Sequence, residues 1–84
     1  MVYRFEAAIT APKGKLSRED KAEIKSYLDE VRLEEKNAEK AIRALVKKLQ
    51  GDRLKLDAET GTAEFRLPDY GTGCLIKVKA YEEA

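Results

Sequence analysis

Hydrophobic and polar residues alternate along the first ten residues of the chain. Over residues 2–11 the larger apolar side chains fall on every second position and would share one face of a strand: Tyr3, Phe5, Ala7, Ile9 and Ala11. The positions between them are mostly polar or small, so the pattern predicts a strand with one buried face. The Pro-Lys-Gly-Lys sequence at 12–15 is typical of a turn that ends such a strand.

A helical pattern follows, with a recognisable signal at each end. Ser17 predicts an N-cap, because its hydroxyl can accept a hydrogen bond from a first-turn amide. Gly51 predicts a left-handed residue just after the last turn, which carries Lys47 and Lys48. Between these ends the apolar residues recur at steps of three and four, apart from one step over Glu35: Ile24, Leu28, Val31, Ala38, Ile42, Leu45 and Leu49.

This pattern fits either one long helix or two shorter ones. A single helix would measure about 50 Å, whereas a strand of nine residues measures about 30 Å. Its overhanging apolar stripe would need a second chain, which predicts an obligate or nearly obligate dimer. The charge-dense segment 31–40, with Asn37 as a second N-cap, instead favours a reversal near 33–37. We predict two helices, and therefore a monomer or a weak dimer through a sheet edge rather than a stable homodimer.

Residues 52–66 predict a β-hairpin. The segment Asp57-Ala58-Glu59-Thr60-Gly61-Thr62 resembles the turn of the designed hairpin peptide chignolin, with alanine in place of its proline. Gly61 supplies a positive φ, and the Asp57 carboxylate can accept hydrogen bonds from turn amides. In this register the cross-strand pairs are Leu56 with Ala63, Leu54 with Phe65, and Lys55 with Glu64.

The last strand is predicted over residues 74–81, where Cys74, Ile76, Val78 and Ala80 share the apolar face. The sequence therefore predicts one α+β domain over residues 1–84 with the order β-α-α-β-β-β. We expect a largely antiparallel four-stranded sheet with both helices on one face and the other face open.

Composition narrows the class of protein. The chain has 84 residues, of which 43% are hydrophobic and 39% charged, yet the formal net charge is only +1. A dedicated nucleic-acid-binding domain usually has a strong basic excess. One cysteine excludes an intramolecular disulfide, and no apolar run approaches the roughly 20 residues that span a bilayer. We expect a soluble, cytoplasmic protein that does not bind membranes; the Lys/Glu-rich composition without His or Trp also suits a designed protein.

No familiar catalytic or metal-binding constellation is present in the sequence. The chain has no histidine, which excludes a Cys-His pair and a Cys/His zinc site. Cys74 is expected to be a buried small residue, and the Gly-x-Gly at 71–73 precedes a strand rather than the helix of a dinucleotide loop. We interpret residues 68–73 as a turn and crossover between strands, and expect no enzyme activity and no cofactor.

The open sheet face is the surface with the clearest bias. The facing pattern places on it a set of basic residues with one aromatic residue, which form the candidate binding face: Arg4, Arg53, Lys55, Arg66, Lys77, Lys79 and Tyr81. The same argument adds the acidic residues Glu6, Asp57 and Glu64. Such a surface suits an ordinary solvated sheet, a protein partner, or phosphates and stacked bases.

Two resemblances bear on function. The element order and length resemble the RelE-type ribosome-dependent toxins, which implies a basic sheet face that acts on the ribosome. Separately, "RLPDYGTGC" followed by "EEA" is similar to the F-P-D-x-P-G-C stretch of HicB antitoxins, from which residues 70–73 depart. The favoured hypothesis is a small non-enzymatic protein-interaction or inhibitory module, including a designed scaffold without a native ligand. The alternative is a nucleic-acid- or ribosome-directed module that binds through the open face.

Overall fold

A computed structural model describes residues 1–10, 16–68 and 74–83 of the chain. Its elements follow in the order β1 (Val2–Thr10), α1 (Arg18–Glu30), β2 (Leu33–Glu34), α2 (Ala38–Leu49), β3 (Asp52–Asp57), β4 (Thr62–Arg66) and β5 (Leu75–Glu83). All neighbouring strands are antiparallel, and the sheet order is β2-β1-β5-β4-β3. The turn predicted at 12–15 lies outside the described residues, and so do residues 69–73 of the turn and crossover predicted at 68–73.

The α+β class is confirmed. The predictions of a four-stranded sheet and of the order β-α-α-β-β-β are wrong, because a strand lies between the two helices. The segment between the helices contains β2, a fifth strand that pairs with Val2 and Tyr3 at the edge of the sheet. The Glu35 amide extends this contact by donating to the carbonyl of Met1 at 2.9 Å. Leu33 is only 9% exposed, so pairing with β1 also brings its side chain into the core. A strand of two residues is too short to show an alternation, and the pattern predicts only a break there.

The prediction of two helices is confirmed, together with both N-caps. The Ser17 hydroxyl accepts a hydrogen bond from the Asp20 amide at 3.0 Å, and the Asn37 side chain accepts one from the Lys40 amide at 2.9 Å. The predicted left-handed Gly51 is wrong, because Gln50 takes that conformation, with φ of 55°. No helix in the described part of the chain is long and apolar enough to cross a membrane.

Both helices pack on the same face of the sheet, where they enclose the core. α1 lies against β1, and α2 lies against β5, β2 and β3. The buried residues come from every element except β3, which contributes partly buried Leu54 and Leu56: Tyr3, Phe5, Ile9, Ile24, Leu28, Leu33, Ala41, Ile42, Leu45, Val46, Ala63, Phe65, Leu67, Cys74, Ile76 and Val78. Both helical stripes are therefore covered within one chain, and no second chain is needed to cover them.

The hairpin of β3 and β4 follows the predicted register only near its turn. Leu56 pairs with Ala63 and Lys55 with Glu64, as predicted, and Gly61 has a φ of 68°. The predicted pairing of Leu54 with Phe65 is not kept, because the register shifts between Asp52 and Lys55. Arg53, with φ of 53°, lies in the resulting bulge, where two residues of β3 oppose one of β4. The bulge brings Asp52 opposite Arg66.

Candidate functional site

The side of the sheet opposite the helices faces solvent, and we call it the open face. Cross-strand partners share a face of an antiparallel sheet, so the strand register assigns each residue to one side. Starting from Val2 in β1, the open face carries twelve charged or aromatic side chains: Arg4, Glu6, Glu34, Asp52, Lys55, Asp57, Glu64, Arg66, Lys77, Lys79, Tyr81 and Glu83.

The charges of the open face nearly cancel. Its strand residues include five basic and six acidic side chains, whereas the sequence pattern indicates a basic excess. The difference comes from features that only the fold creates: β2 adds Glu34, the bulge in β3 adds Asp52, and the longer β5 adds Glu83. Opposite charges also meet across the strands, as in the row of Lys77, Glu64 and Lys55.

A depression of about 680 Å³ lies on the open face over the central strands, and we call it the groove. Its lining includes three acidic and three basic side chains together with small or apolar residues: Glu6, Ala7, Ala8, Lys55, Leu56, Asp57, Thr62, Ala63, Glu64, Lys77, Val78, Lys79 and Tyr81. Ala8 and Thr62 are the small residues of this set that stand on the open face, on either side of β5. Their short side chains leave the space that longer neighbours enclose.

The structure brings together only part of the candidate binding face. Four of its seven residues line the groove: Lys55, Lys77, Lys79 and Tyr81. Arg4 lies beside them, with its guanidinium 4.6 Å from the centre of the Tyr81 ring. Arg66 stands in the outermost row of the sheet, opposite Asp52 and away from the groove lining. Arg53 lies in the bulge of β3, an edge strand, and also does not line the groove.

Ion pairs on the open face are distributed unevenly. The Glu64 carboxylate lies 3.9 Å from the ammonium of Lys55, and the Glu6 carboxylate lies 3.5 Å from the guanidinium of Arg4. Lys79 places its ammonium 5.2 Å from the Tyr81 ring centre, on which Arg4 also stacks. Within the described ranges, neither Lys77 nor Lys79 has a carboxylate within 4.0 Å. The two central lysines are thus left without an ion-pair partner.

Cys74 lies outside the groove and belongs to the core. It is 1% exposed, and burial raises the pKa of its thiol. A thiol with a raised pKa is a weaker nucleophile at neutral pH, because less of it is present as thiolate. Among the residues that the structure describes, no three acidic or cysteine side chains lie close enough to hold a metal ion.

Sequence reasoning finds the charged residues of the groove but misses the residues that shape it. Ala8 and Thr62 carry no chemistry that a motif would reveal, and their signal is only that small side chains interrupt a charged face. Comparison of the chain with protein-family models, with curated proteins and with solved structures finds no match. The resemblances to RelE-type toxins and HicB antitoxins therefore receive no support from these comparisons.

Proposed function

We propose that this protein is a small non-enzymatic interaction module that binds another protein in the groove of the open face. The observation that carries the proposal is the composition of the groove, a depression of about 680 Å³ whose acidic and basic side chains are equal in number. Tyrosine is enriched in protein-binding surfaces, and Tyr81 lies at this groove. Charged groups of both signs can be matched by complementary charges of a protein partner. An interaction of this kind requires complementary shape and charge, but no reactive group.

The balance of charge favours a protein partner over nucleic acid. Binding to a phosphate backbone depends on a surplus of lysine and arginine, because affinity comes largely from the counterions that these residues displace. In the groove, Glu6, Asp57 and Glu64 stand among the lysines and would repel a polyanion that crosses the sheet. A protein can instead present basic groups to these carboxylates and acidic groups to the lysines.

The exposure of the charged side chains also supports recognition rather than catalysis. The Glu6 side chain is 63% exposed and that of Lys55 is 80% exposed. Acid–base catalysis usually depends on a side chain whose pKa is shifted by burial and by neighbouring charges. Side chains as open to water as these are suited to contacts that form and dissociate with a partner.

A substitution that fills the groove tests the proposal. Ala8→Tyr adds a large side chain on the exposed open face, where a strand accepts an aromatic residue well. Ala22→Tyr, on the exposed surface of α1, is the matched control. We expect both variants to stay within about 0.5 kcal/mol of the original protein in unfolding free energy. The measurement is selection of peptides from a displayed random library by each of the three proteins.

Peptides should be enriched by the original protein and by Ala22→Tyr, and this enrichment should disappear with Ala8→Tyr. Enrichment that is the same with Ala8→Tyr, or no enrichment at all, would overturn the proposal. Single-stranded RNA and duplex DNA are titrated in parallel at low salt, where we expect no binding. Tight nucleic-acid binding that weakens steeply with salt and is lost in Ala8→Tyr would favour the nucleic-acid alternative instead.

A further inference from the structure

We propose that the groove anchors its partner through an extended acidic segment, whose carboxylates bind Lys77 and Lys79. This inference rests on the proposed function and specifies the chemistry of the protein that binds. The two lysines occupy alternate positions of β5, the strand at the centre of the five-stranded sheet, and both line the groove. An acidic segment along β5 would therefore lie in the middle of the depression.

The carboxylates next to Lys77 and Lys79 form their ion pairs with other basic residues. Glu64 stands between Lys77 and Lys55 in its cross-strand row, and its ion pair is with Lys55, at 3.9 Å. Glu6 stands opposite Lys79, yet its ion pair is with Arg4, at 3.5 Å. Both acidic neighbours of the central lysines are thus partly neutralised by other bases. The groove has no net charge, but the ammonium groups of Lys77 and Lys79 form a local positive strip at its centre.

Each of the two lysines has a short, uncharged side chain as its neighbour on one side. The cross-strand neighbour of Lys77 in β1 is Ala8, and the neighbour of Lys79 in β4 is Thr62. Neither of these side chains is charged or long enough to cover an ammonium group. Each lysine therefore has one side occupied by an acidic neighbour and the other side free for a group of the partner. Ala8 leaves room for a carboxylate of the partner to approach Lys77 from the side of β1, and Thr62 leaves room for one to approach Lys79 from the side of β4.

The spacing between Lys77 and Lys79 matches the spacing of side chains in an extended peptide. Side chains two positions apart on one strand are separated by about 7 Å, and an extended peptide repeats the same distance between its own alternate side chains. Carboxylates at alternate positions of an extended segment can therefore reach Lys77 and Lys79 together. The flanking acids Glu6, Glu64 and Asp57 limit the positive strip to a single strand's width. A narrow segment with acids on one side fits this strip better than a broad polyanion.

Nuclear magnetic resonance titration with a defined probe tests the anchor. The probe is a short synthetic peptide in which glutamate alternates with threonine. The comparison peptide has the same composition, with adjacent pairs of glutamates separated by pairs of threonines, so that no two glutamates are two positions apart. At low salt we expect the alternating peptide to shift the amide resonances of Ala8, Thr62, Lys77 and Lys79. The comparison peptide should bind more weakly, because no two of its glutamates share one side of an extended chain at the spacing of about 7 Å between alternate residues.

A charge-matched pair of variants distinguishes the anchor from general attraction. Changing Lys77 and Lys79 together to glutamine should weaken binding of the alternating peptide about tenfold, since each exposed ion pair contributes modestly. Changing Lys47 and Lys48 to glutamine removes the same charge from exposed positions in the last turn of α2, on the helical side, and should alter the affinity by less than about twofold. Equal weakening in both variants, or equal binding of the two peptides, would overturn the inference.

The result also separates this inference from the proposed function. If the alternating peptide does not bind but library selection still yields peptides that Ala8→Tyr rejects, the groove binds proteins and the acidic anchor is wrong. If neither the peptide nor the library gives binding that depends on the groove, the proposed function fails as well. A short polyuridylate serves as a second probe. If polyuridylate binds more tightly than the peptide, and its binding depends on Lys77 and Lys79 in the same way, the positive strip binds phosphates. This result would overturn the acidic-segment proposal.

Discussion

Replacing Gly51 with alanine tests how closely the connection between α2 and β3 packs on the core. A Cβ atom at position 51 would lie 2.7 Å from Cδ2 and 3.3 Å from Cε2 of the Phe65 ring, and 3.1 Å from the carbonyl oxygen of Arg66. The Gly51 backbone does not have a positive φ, so backbone strain is not the obstacle. The glycine is required because the Phe65 ring occupies the place of a side chain.

The magnitude follows from the burial of that ring. Phe65 is 0% exposed, so its ring can move away only by displacing its core neighbours. Forcing an extra carbon into a packed core costs about 1–3 kcal/mol, and alanine regains about 0.4–1 kcal/mol by restricting the unfolded chain. We expect Gly51→Ala to lower the free energy of unfolding by about 1–2 kcal/mol. The melting temperature should fall by about 4–8 °C for each kcal/mol.

Urea denaturation of a double-mutant cycle with Phe65→Leu is the assay. Leucine lacks Cε2, and its two Cδ atoms are carried on a tetrahedral Cγ and can rotate away from the new Cβ. Gly51→Ala should therefore cost at least about 0.5 kcal/mol less in that background. Gly61→Ala is the control, because its Cβ would meet nothing closer than 3.6 Å while its φ is 68°. Gly61→Ala should lower the free energy of unfolding because alanine disfavours this backbone conformation. Gly61→Asn should therefore lower it much less. The packing explanation would be refuted if Gly51→Ala left the free energy of unfolding unchanged. It would also be refuted if the effects of Gly51→Ala and Phe65→Leu on that free energy were additive.

Two further predictions concern Arg53 and Cys74. Arg53→Gly should raise the free energy of unfolding by about 1 kcal/mol in urea denaturation, because glycine adopts the observed φ of 53° without strain. The same variant should leave peptide selection from the library unchanged. Loss of that selection would show that Arg53 belongs to the binding site. The pKa of the Cys74 thiol is raised by burial, so stability should not depend on this group below about pH 8.5, the pKa of an unfolded thiol, and should fall as pH rises above it. Urea denaturation across this range, with Cys74→Ala as the comparison, checks the sign: an equal or steeper fall in Cys74→Ala would contradict it.

Local patterns in the sequence determine most of the secondary structure. Ser17 and Asn37 are confirmed as N-caps because a cap is a hydrogen bond between residues three apart, so the neighbours in sequence suffice to predict it. The turn at Gly61 is confirmed for the same reason. The alternation around Phe5 and the helical spacing around Leu28 also indicate the buried faces correctly, since each period depends only on the local backbone geometry.

Only the tertiary structure decides which charges meet on the open face. The strand β2 depends on pairing with β1, which is a contact between distant parts of the chain. A strand of two residues is too short to show an alternation from which it could be predicted. The bulge at Arg53 moves Asp52 opposite Arg66 and so places Asp52 on the open face, where simple alternation predicts Arg53. The ion pairs of Glu6 with Arg4 and of Glu64 with Lys55 depend on strand order and register, and within the described part of the chain they leave no carboxylate at ion-pair distance from Lys77 or Lys79. A face that the sequence indicates as basic is therefore nearly neutral in the fold, because its charge depends on which strands lie side by side.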